Sequence, residues 1–338
     1  MRIRMDRAAL AISAIMLFHV QALAQTPASG VAEIQARHDR AFINELAQYL
    51  QKNPKAHDRD QAYAALFNKA IEHDWFSDVE GLAGEYLKSD PDGPVKALAQ
   101  IIQTMARAHA GQFDLALEHF RVLMQGLGQD EQEEFAASFS ENLAATAVAA
   151  GDVATARQVH SALLARFNNS PNLRQKVQAE LKRLDKVGKT APQIAADDVK
   201  GSPVRLDAYR GKYVLVDFWA TWCAPCIAEL PRLQAAYKTY HDAGLEIVSV
   251  SLDENKSAVT DFVKARNIPW PQIHNATSQA DLVEAFGVIT IPAVYLIDPK
   301  GTIVRLDLRG KALDETLGRL LKPPARAARE NPDPAPVH

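Results

Sequence analysis

Apolar residues recur at helical spacing from about Val31 to Lys186, in an Ala-rich stretch with few β-branched runs. Glycine and proline fall mainly between its segments, as at Asp90-Pro91-Asp92-Gly93-Pro94 and Ser170-Pro171. The pattern predicts about seven or eight amphipathic helices. A loose internal repeat sets Phe76, Val79 and Tyr86 against Phe113, Ala116 and Leu123, and these against Val153, Ala156 and Leu163, at offsets of 37 and 40 residues. Around Gly188 and Pro192 the pattern changes to β-rich segments alternating with helical ones, which marks an α/β domain. Strands are expected at Val204 to Leu206, Tyr213 to Trp219, Leu245 to Leu252, Ala293 to Asp298 and Thr302 to Leu308, with helices at Pro225 to Asp242, Lys256 to Arg266, Ser278 to Phe286 and Ala312 to Leu321. After Lys322 the chain turns Pro-rich and is expected to form no packed element.

Composition narrows the class. The 338 residues are 47% apolar and 23% charged, which is globular, and the length suggests two domains. A formal charge of -3 with no stripe of lysine and arginine argues against nucleic acid as a partner. At the start, Arg2, Arg4 and Arg7 precede a mainly apolar run from Ala8 to Val20 and the small-residue site Ala22-Leu23-Ala24, the layout of a secretory signal peptide. That run has 13 residues. As a helix it is about 20 Å long, short of a hydrocarbon core of roughly 30 Å. Residues 1–24 are therefore expected to be removed, which leaves an exported, soluble chain, periplasmic in a bacterium, with a formal charge of -5. The expected division is signal peptide 1–24, helical domain 25–186, α/β domain 187–321 and disordered tail 322–338.

The cysteines number two, Cys223 and Cys226, too few for a disulfide-stapled scaffold or a Cys-rich zinc site. They open a helix that follows the apolar strand Tyr213 to Trp219. A helix N-terminus carries partial positive charge and unpaired amide donors, so a thiolate there is stabilised and Cys223 is the expected nucleophile. Residues three apart in a first turn lie within disulfide reach, so Cys226 can attack a mixed disulfide at Cys223 and release the partner's thiol. Pro225 suits an early helical position, where its missing donor costs nothing. A bare C-x-x-C also occurs as an inert clip or half a zinc site, for which His241 and His274 are the only histidines of this half outside the tail.

The run Val216-Asp217-Phe218-Trp219-Ala220-Thr221-Trp222-Cys223-Ala224-Pro225-Cys226 resembles the active-site segment of the thioredoxin superfamily. Glu229-Leu230-Pro231 and Val248-Ser249-Val250-Ser251-Leu252-Asp253 resemble its exported TlpA-like branch of thiol-disulfide reductases. The resemblance covers about Gly188 to Leu321 and implies a thioredoxin-like α/β fold. It makes Cys223 the attacking thiol and Cys226 the resolving one, with Trp222 packed beside them. It places Asp217 where thioredoxins keep a buried acid and Glu229 where the TlpA-like branch places its own; either can take the proton that Cys226 must lose. Pro231 matches the proline of the active-site helix, and Thr290-Ile291-Pro292 resembles the cis-proline loop that presents backbone to an extended substrate. Asp253, ending a strand before a helix, is read as a cap, and His274 receives no role. In the helical half, Gly111-Gln112-Phe113 and Gly151-Asp152-Val153 weakly resemble tetratricopeptide-type hairpins, so that half is expected to be a bundle or a short TPR-like solenoid.

The resulting expectation is an exported thiol-disulfide oxidoreductase that reduces oxidised protein clients, draws electrons from a membrane thiol reductase, and needs no cofactor or metal. Trp222, Pro225, Ile291 and Pro292 would meet the substrate. The Ala-Pro dipeptide between the cysteines resembles the Gly-Pro of reducing thioredoxins. A net oxidase or isomerase is the nearest alternative. From another class comes a scaffold whose helical half binds a protein partner or a second copy and whose cysteine pair is structural or carries metal. Copper carriers on this fold add a histidine and space the cysteines by three residues, and a peroxidatic Pro-x-x-x-Thr-x-x-Cys context is missing, since Thr221 stands two residues before Cys223.

Overall fold

A computed structural model describes residues 30–128, 132–278 and 280–321. The expected signal peptide (1–24) and tail (322–338) lie outside them. The chain divides into two compact units between Arg174 and Gln175. This division falls inside a helix, ahead of the sequence change at Gly188.

Eight helices stand among the described residues before the first strand: α1 (Gly30–Lys52), α2 (Arg59–Glu72), α3 (Phe76–Ser89), α4 (Lys96–His109), α5 (Phe113–Gly126), α6 (Glu133–Ala150), α7 (Val153–Arg166) and α8 (Pro171–Leu184). In the first unit α1 packs on α2, α3 on α4, α4 on α5 and α6 on α7, while α2–α4, α4–α6 and α5–α7 touch as next-but-one neighbours. The aligned positions of the loose repeat fall at equivalent places in three helices. Phe76, Phe113 and Val153 are the first residues of α3, α5 and α7. One turn further in, Val79, Ala116 and Ala156 are all buried, as are Tyr86, Leu123 and Leu163. Gly151 ends α6 with a positive φ of 90°, a left-handed conformation that suits glycine, and lets Asp152 cap α7 by accepting from the Thr155 amide at 3.0 Å.

In the second unit a five-stranded mixed sheet has the order β5-β4-β3-β6-β7, with β3 (Tyr213–Trp219) at its centre. β4 (Leu245–Ser251) and β5 (Gln272–His274) continue it in parallel on one side, and β6 (Ala293–Ile297) and β7 (Ile303–Leu306) antiparallel on the other. Nearly all of β3 and β4 is buried, which is why both read as continuous apolar runs. A small hairpin of β1 (Ala195–Asp197) and β2 (Pro203–Arg205) precedes them. The remaining helices are α9 (Ala224–Tyr240), α10 (Lys256–Ala265), α11 (Leu282–Phe286) and α12 (Gly310–Leu320). β1 and β5 went unread in the sequence, where three residues barely show a two-residue alternation; β2, just as short, was read one residue out of place. α11 is shorter than expected, since Asp281 caps it through the Glu284 amide at 3.1 Å.

Candidate active site

Register brings the chemistry to one end of the sheet. Trp219, the last residue of β3, pairs with Ser251 of β4, and Ser251 with His274 of β5, while Phe218 pairs with Ala293 at the start of β6. The loops that follow β3 and β4, and the loop Thr290-Ile291-Pro292 that leads into β6, therefore emerge together. Leu215, Asp217 and Trp219 alternate onto one face of β3. There, Leu215 and Trp219 join a core cluster with Cys223, Cys226, Leu230 and Leu233 of the α9 region.

Cys223 is the N-cap of α9 and is disulfide-bonded to Cys226, with S–S 2.00 Å and Cα–Cα 5.3 Å. The Cys226 amide donates to the Cys223 sulfur at 3.3 Å. A sulfur at this point also faces the positive end of the helix dipole, so the position favours the thiolate once the bond is reduced. Pro225 sits in the first turn, and Pro231 lies inside the helix. Both cysteines are buried, whereas Ala224 and Pro225 are exposed. Trp222 is 67% exposed, so it is not packed in beside the cysteines as the resemblance implied.

Asp217 lines a cavity of about 10 Å³ together with Cys226, Ser249 and Gln272. Burial pushes its carboxyl up to about 7; a hydrogen bond from Ser249 Oγ at 3.2 Å and the charge of Arg309 pull the other way, and Glu229 adds to the rise. Glu229 lies one turn beyond Cys226 on the inner face of α9. Its Oε2 accepts from the Gly310 amide at 3.2 Å, and its buried Oε1 has no hydrogen-bond partner among the described residues. Both expected acids are thus buried near the disulfide, with Asp217 holding the cavity next to Cys226.

The Ile291–Pro292 bond is cis. Ile291 packs against the cluster that contains both cysteines, while Ile289 and Thr290 are exposed. The Pro292 carbonyl accepts from the Arg309 guanidinium at 2.6 Å.

Asp253 corrects its sequence reading. The N-cap of α10 is Asn255, and Asp253 instead is buried and ties the active-site loop to β4. It accepts from the Thr221 amide at 3.0 Å, from Thr221 Oγ1 at 2.5 Å and from Ser251 Oγ at 2.7 Å. His274, left without a role, is buried beneath it and donates Nε2–H to the Asp253 carbonyl at 2.7 Å. Thr221 and Asp253 each stand two residues past a paired strand end, and only knowledge of the β3–β4 register could have joined them. The histidines weighed as zinc ligands are both engaged otherwise, His241 through its ring with the Leu245 carbonyl at 3.2 Å.

With this geometry in hand, similarity to known proteins is specific. The model of the AhpC/TSA family matches residues 187–306. The thiol-disulfide oxidoreductase ResA of Bacillus thuringiensis subsp. konkukian is 33% identical over 136 residues, 40% of this chain and 77% of that protein. Its counterpart from Geobacillus thermodenitrificans is 36% identical over 120 residues, 36% of this chain and 68% of that protein. A crystal structure of the thioredoxin domain of a thiol-disulfide oxidoreductase from Bacteroides vulgatus is 33% identical, covering 40% of this chain and 98% of that one, with a TM-score of 0.38. Through its α/β unit the chain belongs to the thioredoxin-like thiol-disulfide oxidoreductases, the family of the ResA proteins. The protein is an enzyme of that class, and Cys223 and Cys226 are its C-x-x-C pair.

Proposed function

We propose that the protein is exported and works mainly as a reductant of disulfides in client proteins. The observation that carries this reading is the bonded Cys223–Cys226 pair at the N-terminus of α9, with Asp217 in the cavity that Cys226 also lines. In the reduced protein the Cys223 thiolate attacks one sulfur of a client disulfide, forming a mixed disulfide and expelling the first client thiolate. Cys226 then gives up its proton, and its sulfur attacks Cys223 Sγ. The intermolecular bond breaks, the Cys223–Cys226 bond forms, and the client leaves with two electrons. A carboxylate near pKa 7 suits acceptance of that proton at neutral pH, and Asp217 shares a cavity with Cys226, which makes it the proposed acceptor. Trp222 and Pro225 on one side and Ile291 and Pro292 on the other frame the place where an extended client would lie.

Export rests on the arginine-led apolar segment before Ala24, and no helix among the described residues is long and apolar enough to cross a membrane. The electron donor is proposed to be a membrane thiol reductase. The alternating contacts of α1 to α7 suit a short solenoid that engages a protein partner. Equilibration of the protein lacking residues 1–24 in defined thiol buffers tests the direction. A reduction potential below about -220 mV is expected, and a value above about -160 mV would overturn the reductant reading in favour of an oxidase or isomerase. Cys223→Ser should abolish catalysed exchange.

A further inference from the structure

Outside the cysteine site, a connected group of buried and partly buried charges in the α/β unit runs from α8 to the loop before β6. Glu180 holds Arg183 in two hydrogen bonds, at 2.9 and 2.6 Å. Arg183, itself buried, donates to Asp307 Oδ2 at 2.6 Å. The other oxygen of Asp307 lies 3.7 Å from the Arg309 guanidinium, whose terminal nitrogen donates to the Pro292 carbonyl at 2.6 Å. Asp307 also contacts β6 just after that loop: its amide donates to the Val294 carbonyl at 2.7 Å, and its Oδ1 accepts from the Val294 amide at 3.4 Å. Its φ of 52° is unusual for a residue that is not glycine, and this conformation is kept where Asp307 lies between two guanidinium groups.

The signs alternate along the chain, so each charge is compensated by the next, and the last positive group ends on a carbonyl dipole. A carboxylate 3.7 Å from the nitrogen that binds the carbonyl restrains the arginine before it binds, which makes it a stiffer clamp than a free side chain.

We propose that Arg309 is a positioning residue that fixes the Thr290-Ile291-Pro292 loop for an extended, disulfide-containing polypeptide, and that Asp307 and Arg183 hold Arg309 for this task. The proposal rests on the reading of the site as a thiol-disulfide exchange centre that takes polypeptide. Pinning the Pro292 carbonyl from behind leaves the exposed Ile289 and Thr290 as the edge offered to the client. A loop left free would have to be ordered by each client as it binds, and that cost falls on KM and not on the exchange step.

The test uses the reduced protein and a synthetic peptide carrying one disulfide, with KM and kcat measured separately. Arg309→Met should raise KM about tenfold, the scale of one charge-assisted hydrogen bond, while kcat falls no more than about threefold, a margin that covers loss of the Arg309 charge acting on Asp217. Arg309→Lys, which keeps a cationic donor, should restore most of the KM. Asp307→Asn tolerates the same backbone conformation, and with Arg183→Met it should raise KM about threefold. KM unchanged within about twofold in Arg309→Met, or kcat falling in step with the rise in KM, or no recovery with lysine, would overturn the proposal. Should Arg309→Met fail to fold, an unaltered KM in Asp307→Asn would overturn it in the same way. Wild-type protein that turned over no peptide would instead refute the exchange reading, and the inference would fall with it.

Discussion

The two units bury polar groups by different rules. In the helical unit the buried hydroxyls are satisfied within one turn: Thr104 Oγ1 donates to the Gln100 carbonyl at 2.8 Å and Ser140 Oγ to that of Ala136 at 2.6 Å. In the α/β unit many of the partners are far apart in sequence. Trp219 Nε1 donates to Gln272, 53 residues on, and the Gly310 amide to Glu229 across 81 residues. Among the described residues the helical unit places one buried acid between helices, Asp39, and it is well served: His73 at 2.8 Å and Lys69 hold its carboxyl below the ordinary range. Asp217 in the other unit has only a single hydroxyl donor, and burial drives its carboxyl the opposite way. The comparison teaches that a buried charge stabilises where its partners are complete and acquires chemistry where they are not.

The largest effect expected is in the helical core. Phe120 is fully buried there, and Phe120→Ala should cost about 3 to 5 kcal/mol in urea unfolding followed by far-UV circular dichroism. A loss under 1 kcal/mol would show that this unit lacks the tight core described here.

Next comes the titration of Asp217. Its carboxyl is near 7 in the folded chain against about 3.9 unfolded, so the folded state holds the proton more tightly. Stability from this group is fully present below about pH 4 and is lost as pH rises to about 7. Between pH 5 and 7.5 the oxidised protein should lose about 2 to 3 kcal/mol more than Asp217→Asn does. Parallel pH profiles for the two proteins would remove Asp217 as the group with an unsatisfied charge.

The remaining effects, no larger than that one, sharpen the contrast between near and distant partners. Asp152→Ala removes a local cap and should cost about 1 kcal/mol. Asp253→Ala strands the Thr221 amide and hydroxyl and Ser251 Oγ at the active-site loop, and should cost about 2 to 3 kcal/mol as well as slowing exchange. Equal costs, with exchange unaffected, would make Asp253 no more than another cap.

Most of the architecture was legible, for identifiable reasons. The helices from Gly30 to Leu184 and the long strands β3, β4 and β6 bury whole faces, so their apolar periods are written in the chain. The cysteine pair, Asp217, Glu229 and the Thr290-Ile291-Pro292 loop could be read because each belongs to a contiguous motif with fixed spacing. Trp222 was misplaced because a large aromatic beside a motif carries no local sign of whether it points in or out. Asp253, His274 and the Arg183–Asp307–Arg309 chain were missed because each acts through a residue from another element, and short β5, which sets His274 in its row, leaves no periodic trace.

The sequence by itself determined what is local: the periods of the helices and strands, the glycine and aspartate at the α6–α7 turn, and the two cysteines at a helix start. Tertiary structure alone decided which of the many aspartates do chemistry. Asp152, Asp217, Asp253 and Asp307 are chemically identical, yet one caps a helix, one is buried against Cys226, one ties down the active-site loop and one lies between two arginines. Their roles differ because desolvation and the charges nearby are set by strand register and helix packing, quantities that no stretch of contiguous residues contains.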